Sequence, residues 1–161
     1  MAINRTLNVS VDFNCVHRPD GGYGGTASYT QTGCMPSNMG TLVDGNGNIS
    51  LENTPDFDPN LYNESVDILF TLATPAAITP DNTTTQVVWA RVNGVGATIT
   101  VPQGGSASEF QVITSPSSPN LLTIVDNDDD SNTYNYKPAV ELPDLGNYYI
   151  SLDPQIVNKP K

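Results

Sequence analysis

Asp126-Asn127-Asp128-Asp129-Asp130-Ser131-Asn132 is the stretch whose residue types most readily do chemistry. Asp126, Asp128, Asp130 and Asn132 recur at every second position. An EF-hand loop presents its first oxygens to Ca²⁺ at this spacing. The match then stops, because the sixth position is Ser131 rather than glycine and the twelfth is Lys137 rather than glutamate. Asp and Asn are also the residues of tight turns, since their side chains bond their own backbone two residues on. The stretch therefore predicts a solvated hairpin loop joining strands at 121–125 and 133–136. A weak Ca²⁺ site on Asp126, Asp128 and Asp130 is the alternative.

Cys15-Val16-His17 and Cys34 offer three soft metal ligands, but their spacing matches no zinc-finger pattern. His17 is the only histidine, so a Ser-His-Asp or Cys-His set would have to use it. No nucleophile signature accompanies it. Gly21-Gly22-Tyr23-Gly24-Gly25 lacks the lysine and the strand–helix setting of a phosphate loop, and reads as a flexible loop. We expect no enzyme and no cofactor apart from that weak Ca²⁺. The two cysteines are expected as reduced thiols, at least partly buried.

Trp89 and Arg91 stand two apart in 86–101, QVVWARVNGVGATITV. On a strand they share a face, where an indole beside a guanidinium suits a sugar or a protein partner. Tyr23 and Tyr29 from the glycine-rich stretch could extend that surface. Trp89 as a plain core residue, with Arg91 at its rim, is the competing reading.

The elements that would position these residues are strands. Asn93-Gly94 between β-branched runs is a strong hairpin signal. A two-residue turn there would pair Val92 with Val95, Ala90 with Ala97 and Val88 with Ile99. Those residues and Val101 would then form one apolar wall. Alternation also marks strands at 7–13, 64–73, 109–114, 121–126, 133–142 and 148–152, with a shorter one at 48–51. Pro138 within 133–142 predicts an edge or bulged strand. Residues 14–47 are crowded with glycine and predict a long loop, functional or hiding short strands near 27–31 and 40–43. No stretch has a helical period with caps. The prediction is all-β: one antiparallel β-sandwich domain over 1–157, immunoglobulin-like with Greek-key connections, and a flexible tail at 158–161.

Bulk properties narrow the partners. The net charge is −11, and the six Lys and Arg are scattered. Phosphate would be repelled, which argues against nucleic acid and anionic membranes. The first residues, MAINRTLNVSVDF, carry no apolar signal region, and no run reaches the ~18 apolar residues of a membrane span. The expected compartment is the cytoplasm.

Tyr134-Asn135-Tyr136 after the acidic loop, and Tyr149 to Asn158 with Asp153-Pro154-Gln155-Ile156, carry a family resemblance. Over the last third the chain resembles the DP-EP family of small uncharacterised bacterial proteins. Its Asp-Pro-x-Ile ending is similar to that of the bacterial inclusion-body protein family. The chain contains no Glu-Pro dipeptide. The resemblance implies a small bacterial β-sandwich and supplies no catalytic residue. Together these readings predict a non-catalytic binding or assembly protein that self-associates or docks on a protein. A carbohydrate-binding module using the Trp89 face is the alternative.

Overall fold

The computed structural model describes residues 1–92, 95–151 and 155–157. The alternation seen at 7–13 continues in both directions, and the first strand, β1, spans Ile3–His17. Leu7, Val9, Val11, Phe13 and Cys15 are buried, and the residues between them are partly or fully exposed. The chain turns at 18–22, where the Arg18 N–H donates to the Gly22 carbonyl at 2.7 Å. It then returns antiparallel as β2, Tyr23–Met35. The strand expected near 27–31 falls within β2, and the long loop expected over 14–47 is corrected, because most of that stretch is a hairpin. Glycine obscured the strand and also allows it to form: a Cβ on Gly25 would stand 1.9 Å from the Asn14 carbonyl oxygen.

After the short β3, Ile49–Ser50, the strand β4, Tyr62–Leu72, lies parallel to β1. Beyond Leu72 the short β5, Ala76–Ile78, replaces β4 beside β1, and β6, Thr84–Gln86, pairs with β5. On the far side of β4 lies β10, Ser118–Asp126, followed by β9, Phe110–Ser115. These seven strands make the first sheet, with β2 beside β1.

The second sheet is built on β11, Thr133–Leu142. One side of β11 carries β12, Tyr148–Ser151, and β13, Gln155–Val157. The other carries β7, Val88–Trp89, and β8, Ala97–Thr100. β13 adds β3 in parallel. Both sheets are thus mixed, which corrects the wholly antiparallel arrangement expected.

The 86–101 segment departs from its predicted hairpin. β7 and β8 each pair antiparallel with β11, so they run in one direction rather than against each other. The Ala90 N–H donates to the Ala139 carbonyl at 2.9 Å, and the Ala139 N–H donates to the Gly96 carbonyl at 2.9 Å. The chain leaves β11 after Ala90 and rejoins it at Gly96. Asn93 and Gly94, the expected turn, lie outside the described residues. The expected apolar wall is broken: Val88, Ala90 and Ala97 are buried, while Val92, Val95 and Val101 are exposed.

Pro138 lies inside β11, which has neighbours on both sides, and not in an edge strand. Ala139 directs its N–H and C=O towards β7 and β8, so Pro138 faces the other side by alternation. There, β12 pairing ends at Ala139 and β13 pairing starts at Asn135. The missing N–H falls at that gap.

One apolar cluster joins the sheets, with Leu7, Phe70 and Ile124 from the first and Trp89, Tyr136 and Ile156 from the second. Helical structure among the described residues is limited to three 3₁₀ turns, at Ser37–Met39, Ala107–Glu109 and Pro143–Leu145. No described helix is long and apolar enough to cross a membrane.

Candidate functional site

The residues of the predicted aromatic face do not come together. Trp89 is completely buried, and its indole N–H donates to the Asn120 carbonyl of β10 at 2.8 Å. It therefore ties the second sheet to the first and presents nothing to a ligand. The sequence hid this because Trp89 follows Val88 on a strand buried on both faces. Arg91 is exposed, and its backbone belongs to the start of the 91–96 excursion. The buried Glu141 carboxylate holds that excursion, accepting the N–H of Arg91 at 3.1 Å and of Val92 at 2.9 Å. Tyr29 is buried against Gly47, whose positive φ of 88° and missing Cβ leave room for the tyrosine ring. Tyr23 is half-buried and meets Tyr148 edge-on at 5.6 Å, at the hairpin end of β1 and β2.

The acidic stretch was expected as a solvated hairpin loop, but it buries Asp126 and Asp128 and leaves Asp129 and Ser131 exposed. It leaves β10 in the first sheet and enters β11 in the second, so it crosses between sheets. Asp126 is fully buried and Asp128 almost so. Asp126 Oδ1 accepts the Asp128 N–H at 2.9 Å, and Asp128 takes a positive φ of 52°. Asp128 Oδ2 sits 3.1 Å from Arg5 Nη2 in a buried ion pair. Arg5 also donates to the Glu64 carbonyl, and its guanidinium lies 4.7 Å from the Phe57 ring centre. Asp130 instead accepts the Tyr134 hydroxyl at 2.5 Å and the Asn132 N–H at 3.0 Å. The three aspartates proposed for Ca²⁺ are thus engaged separately. Among the described residues no group of three His, Cys, Asp or Glu side chains could hold a metal ion.

Sequence reasoning missed two members of this cluster. Arg5 lies far from it in sequence, and Glu109 belongs to the 3₁₀ turn before β9. Glu109 is buried and accepts the Asp129 N–H at 3.0 Å. Burial, then the neighbouring aspartates, push its carboxyl up to about 7. Burial likewise pushes Asp126 up to about 8, with Asp128 and Glu109 adding to the rise.

Cys15 is buried, and burial pushes its thiol up. Both cysteines are free. Cys34 pairs with Leu7, eight residues along β1 from Cys15, which at ~3.3 Å per residue is much too far for a disulfide. A shallow notch of about 480 Å³ opens where β1 changes neighbours, lined by Asp12, Phe13, Cys15, Thr74 and Ile78 among others.

The outer edge of β2 is the second structural feature the sequence concealed. Its thirteen residues, YGGTASYTQTGCM, include no charge and no proline. The Tyr29 N–H points away from β1 and donates to the Gly45 carbonyl at 3.1 Å. The Gln31 side chain bonds the Gly40 carbonyl and the Leu42 N–H, each at 2.7 Å, so residues 40–45 cover that end. By alternation Ala27 and Gly25 also direct their N–H and C=O outward. No strand among the described residues pairs with that side of β2.

No protein-family model matches the chain, and none of the curated proteins matches it.

Proposed function

We propose that the chain is a non-catalytic β-sandwich whose role is assembly, in which a second copy adds its β2 to the outer edge of β2. The observation that carries this reading is the edge at Tyr23 to Ser28, which no described strand pairs and whose own residues carry no charge, with the Arg18 guanidinium lying against Gly24 at its near end. Proteins usually blunt such edges with lysine, proline or a bulge, because unpaired N–H and C=O groups template another strand. A neutral strand also suits self-pairing in a chain of net charge −11, since two copies meeting elsewhere would repel. Antiparallel pairing about Thr26 sets Gly25 opposite Ala27 of the second copy, a two-fold contact.

The sandwich reading is supported by the shared core and by chain crossings between sheets after β6, β8 and β10, of the immunoglobulin-like, Greek-key kind. Two free thiols agree with a reducing, cytoplasmic setting. The DP-EP resemblance over the last third, to small bacterial proteins of this class, points the same way. The carbohydrate alternative loses its support with the burial of Trp89.

Sedimentation velocity over a concentration series tests the proposal. Wild type should form a dimer as concentration rises. Ala27→Pro, which removes an outward N–H, and Ser28→Lys, which charges the edge, should stay monomeric with unchanged circular dichroism. A wild-type monomer throughout, or variants that dimerise as wild type does, would reject it.

A further inference from the structure

The first sheet has another outer edge, across β1, β4 and β10 from β2. β9 pairs with β10 on one side, and no strand among the described residues pairs with its other side. The Glu109 carbonyl accepts the Asn127 N–H at 2.9 Å, so the backbone of Glu109 faces β10. By alternation Phe110, Val112 and Thr114 direct their N–H and C=O groups outward. The strand reads FQVITS, with no charge and no proline, and its Phe, Val, Ile and Thr favour extended backbone. Its register with β10 runs unbroken from Phe110 to Thr114, so no bulge blunts that stretch. Phe110 and Val112 pack towards the core, while Gln111 and Ile113 stand on the outer face, with Ile113 42% exposed. Charge is confined to one end. Phe110 pairs with Asp126 at the start of the acidic crossing, whereas the turn beyond the other end, 115–118, is uncharged.

We propose that β9 is a second self-pairing edge, to which another copy adds its own β9 antiparallel about Val112. Phe110 then exchanges backbone bonds with Thr114 of the other copy, and Val112 with its counterpart. Gln111 stands opposite Ile113 of the other copy, and the two Ile113 side chains meet on a diagonal. The acidic ends lie apart, each beside the uncharged turn of the other copy. Parallel pairing would set the two acidic crossings side by side, which like charge disfavours. The contact itself does not depend on β2. Growth beyond a pair does rest on the β2 reading: a pair joined at β2 carries a β9 edge at each end, so alternating two-fold contacts extend one sheet through a chain of copies. The β9 contact is the weaker of the two, because the acidic crossing flanks β9 while Arg18 lies against the near end of β2. It therefore forms above the concentrations that give β2 dimers.

Sedimentation velocity carried to high protein concentration, at about 0.15 M salt, tests this. Wild type should pass from dimers to larger species. Gln111→Glu with Ile113→Glu sets two like-charged pairs across the contact and should lose every species above the dimer. Gln111→Lys with Ile113→Glu sets opposite charges in the same two pairs and should restore the larger species, which a misfolded variant could not do. Wild type that never passes the dimer abolished by Ala27→Pro, larger species that persist with the two glutamates, or larger species that the lysine fails to restore would each overturn the β9 contact. A wild-type dimer that the two glutamates abolish and Ala27→Pro leaves intact would support the β9 contact and remove the β2 reading instead.

Discussion

Replacing Trp89 by alanine discriminates sharply between a core tryptophan and a surface anchor. The side chain is 0% exposed, and a buried aromatic of this kind removes about 150–250 Å² from water. At ~25 cal/mol per Å² that burial is worth about 4–6 kcal/mol, an upper figure because unfolded chains already bury some surface. Large-to-small core substitutions of aromatics cost about 3–5 kcal/mol. The lost bond to the Asn120 carbonyl adds roughly 1 kcal/mol. Trp89→Ala should therefore destabilise the domain by about 4 kcal/mol and lower its melting temperature by roughly 8–16 °C. Trp89→Phe keeps most of the volume and should cost about 2 kcal/mol. Circular dichroism during urea unfolding reads both without relying on the tryptophan. A Trp89→Ala cost under about 1 kcal/mol would refute the burial argument and return the indole to the surface.

Arg5→Met should cost about 3–5 kcal/mol by leaving Asp128 buried without its cation, and Arg5→Met with Asp128→Asn should recover a large part of that in the same unfolding assay. Glu141→Ala removes the acceptor of two N–H groups at the base of the 91–96 excursion. It should cost about 2 kcal/mol and speed amide exchange at Arg91 and Val92, whereas Glu141→Gln should cost much less.

The strands that alternate cleanly were legible. The expected 64–73, 109–114, 121–126 and 133–142 correspond to Tyr62–Leu72, Phe110–Ser115, Ser118–Asp126 and Thr133–Leu142. Each carries apolar side chains at every second position, so burial on one face dictates the period. β2 was not legible, because its glycines, threonines and serines give little apolar contrast and its partner β1 supplies most of the packing. The Asn93-Gly94 signal misled for a different reason. Local alternation permits a hairpin, but both flanks pair with β11 instead, and pairing with a third strand is invisible in the local pattern. The acidic stretch has a turn composition whether it joins neighbouring strands or crosses between sheets. Only the topology brings Arg5 and Glu109 to it, from over a hundred residues away and from the turn before β9 respectively. Trp89 could not be placed from its own strand, because the opposing surface comes from β10.

Amide hydrogen exchange at Ala27, followed as protein concentration rises, tests the assembly claim most directly. A second β2 strand would bond the outward N–H of Ala27 in each copy. The account predicts exchange at Ala27 that slows in step with the dimer population, while already bonded amides such as Tyr29 change little. Exchange at Ala27 that stays fast as dimers accumulate, or no dimers at any concentration, would contradict it.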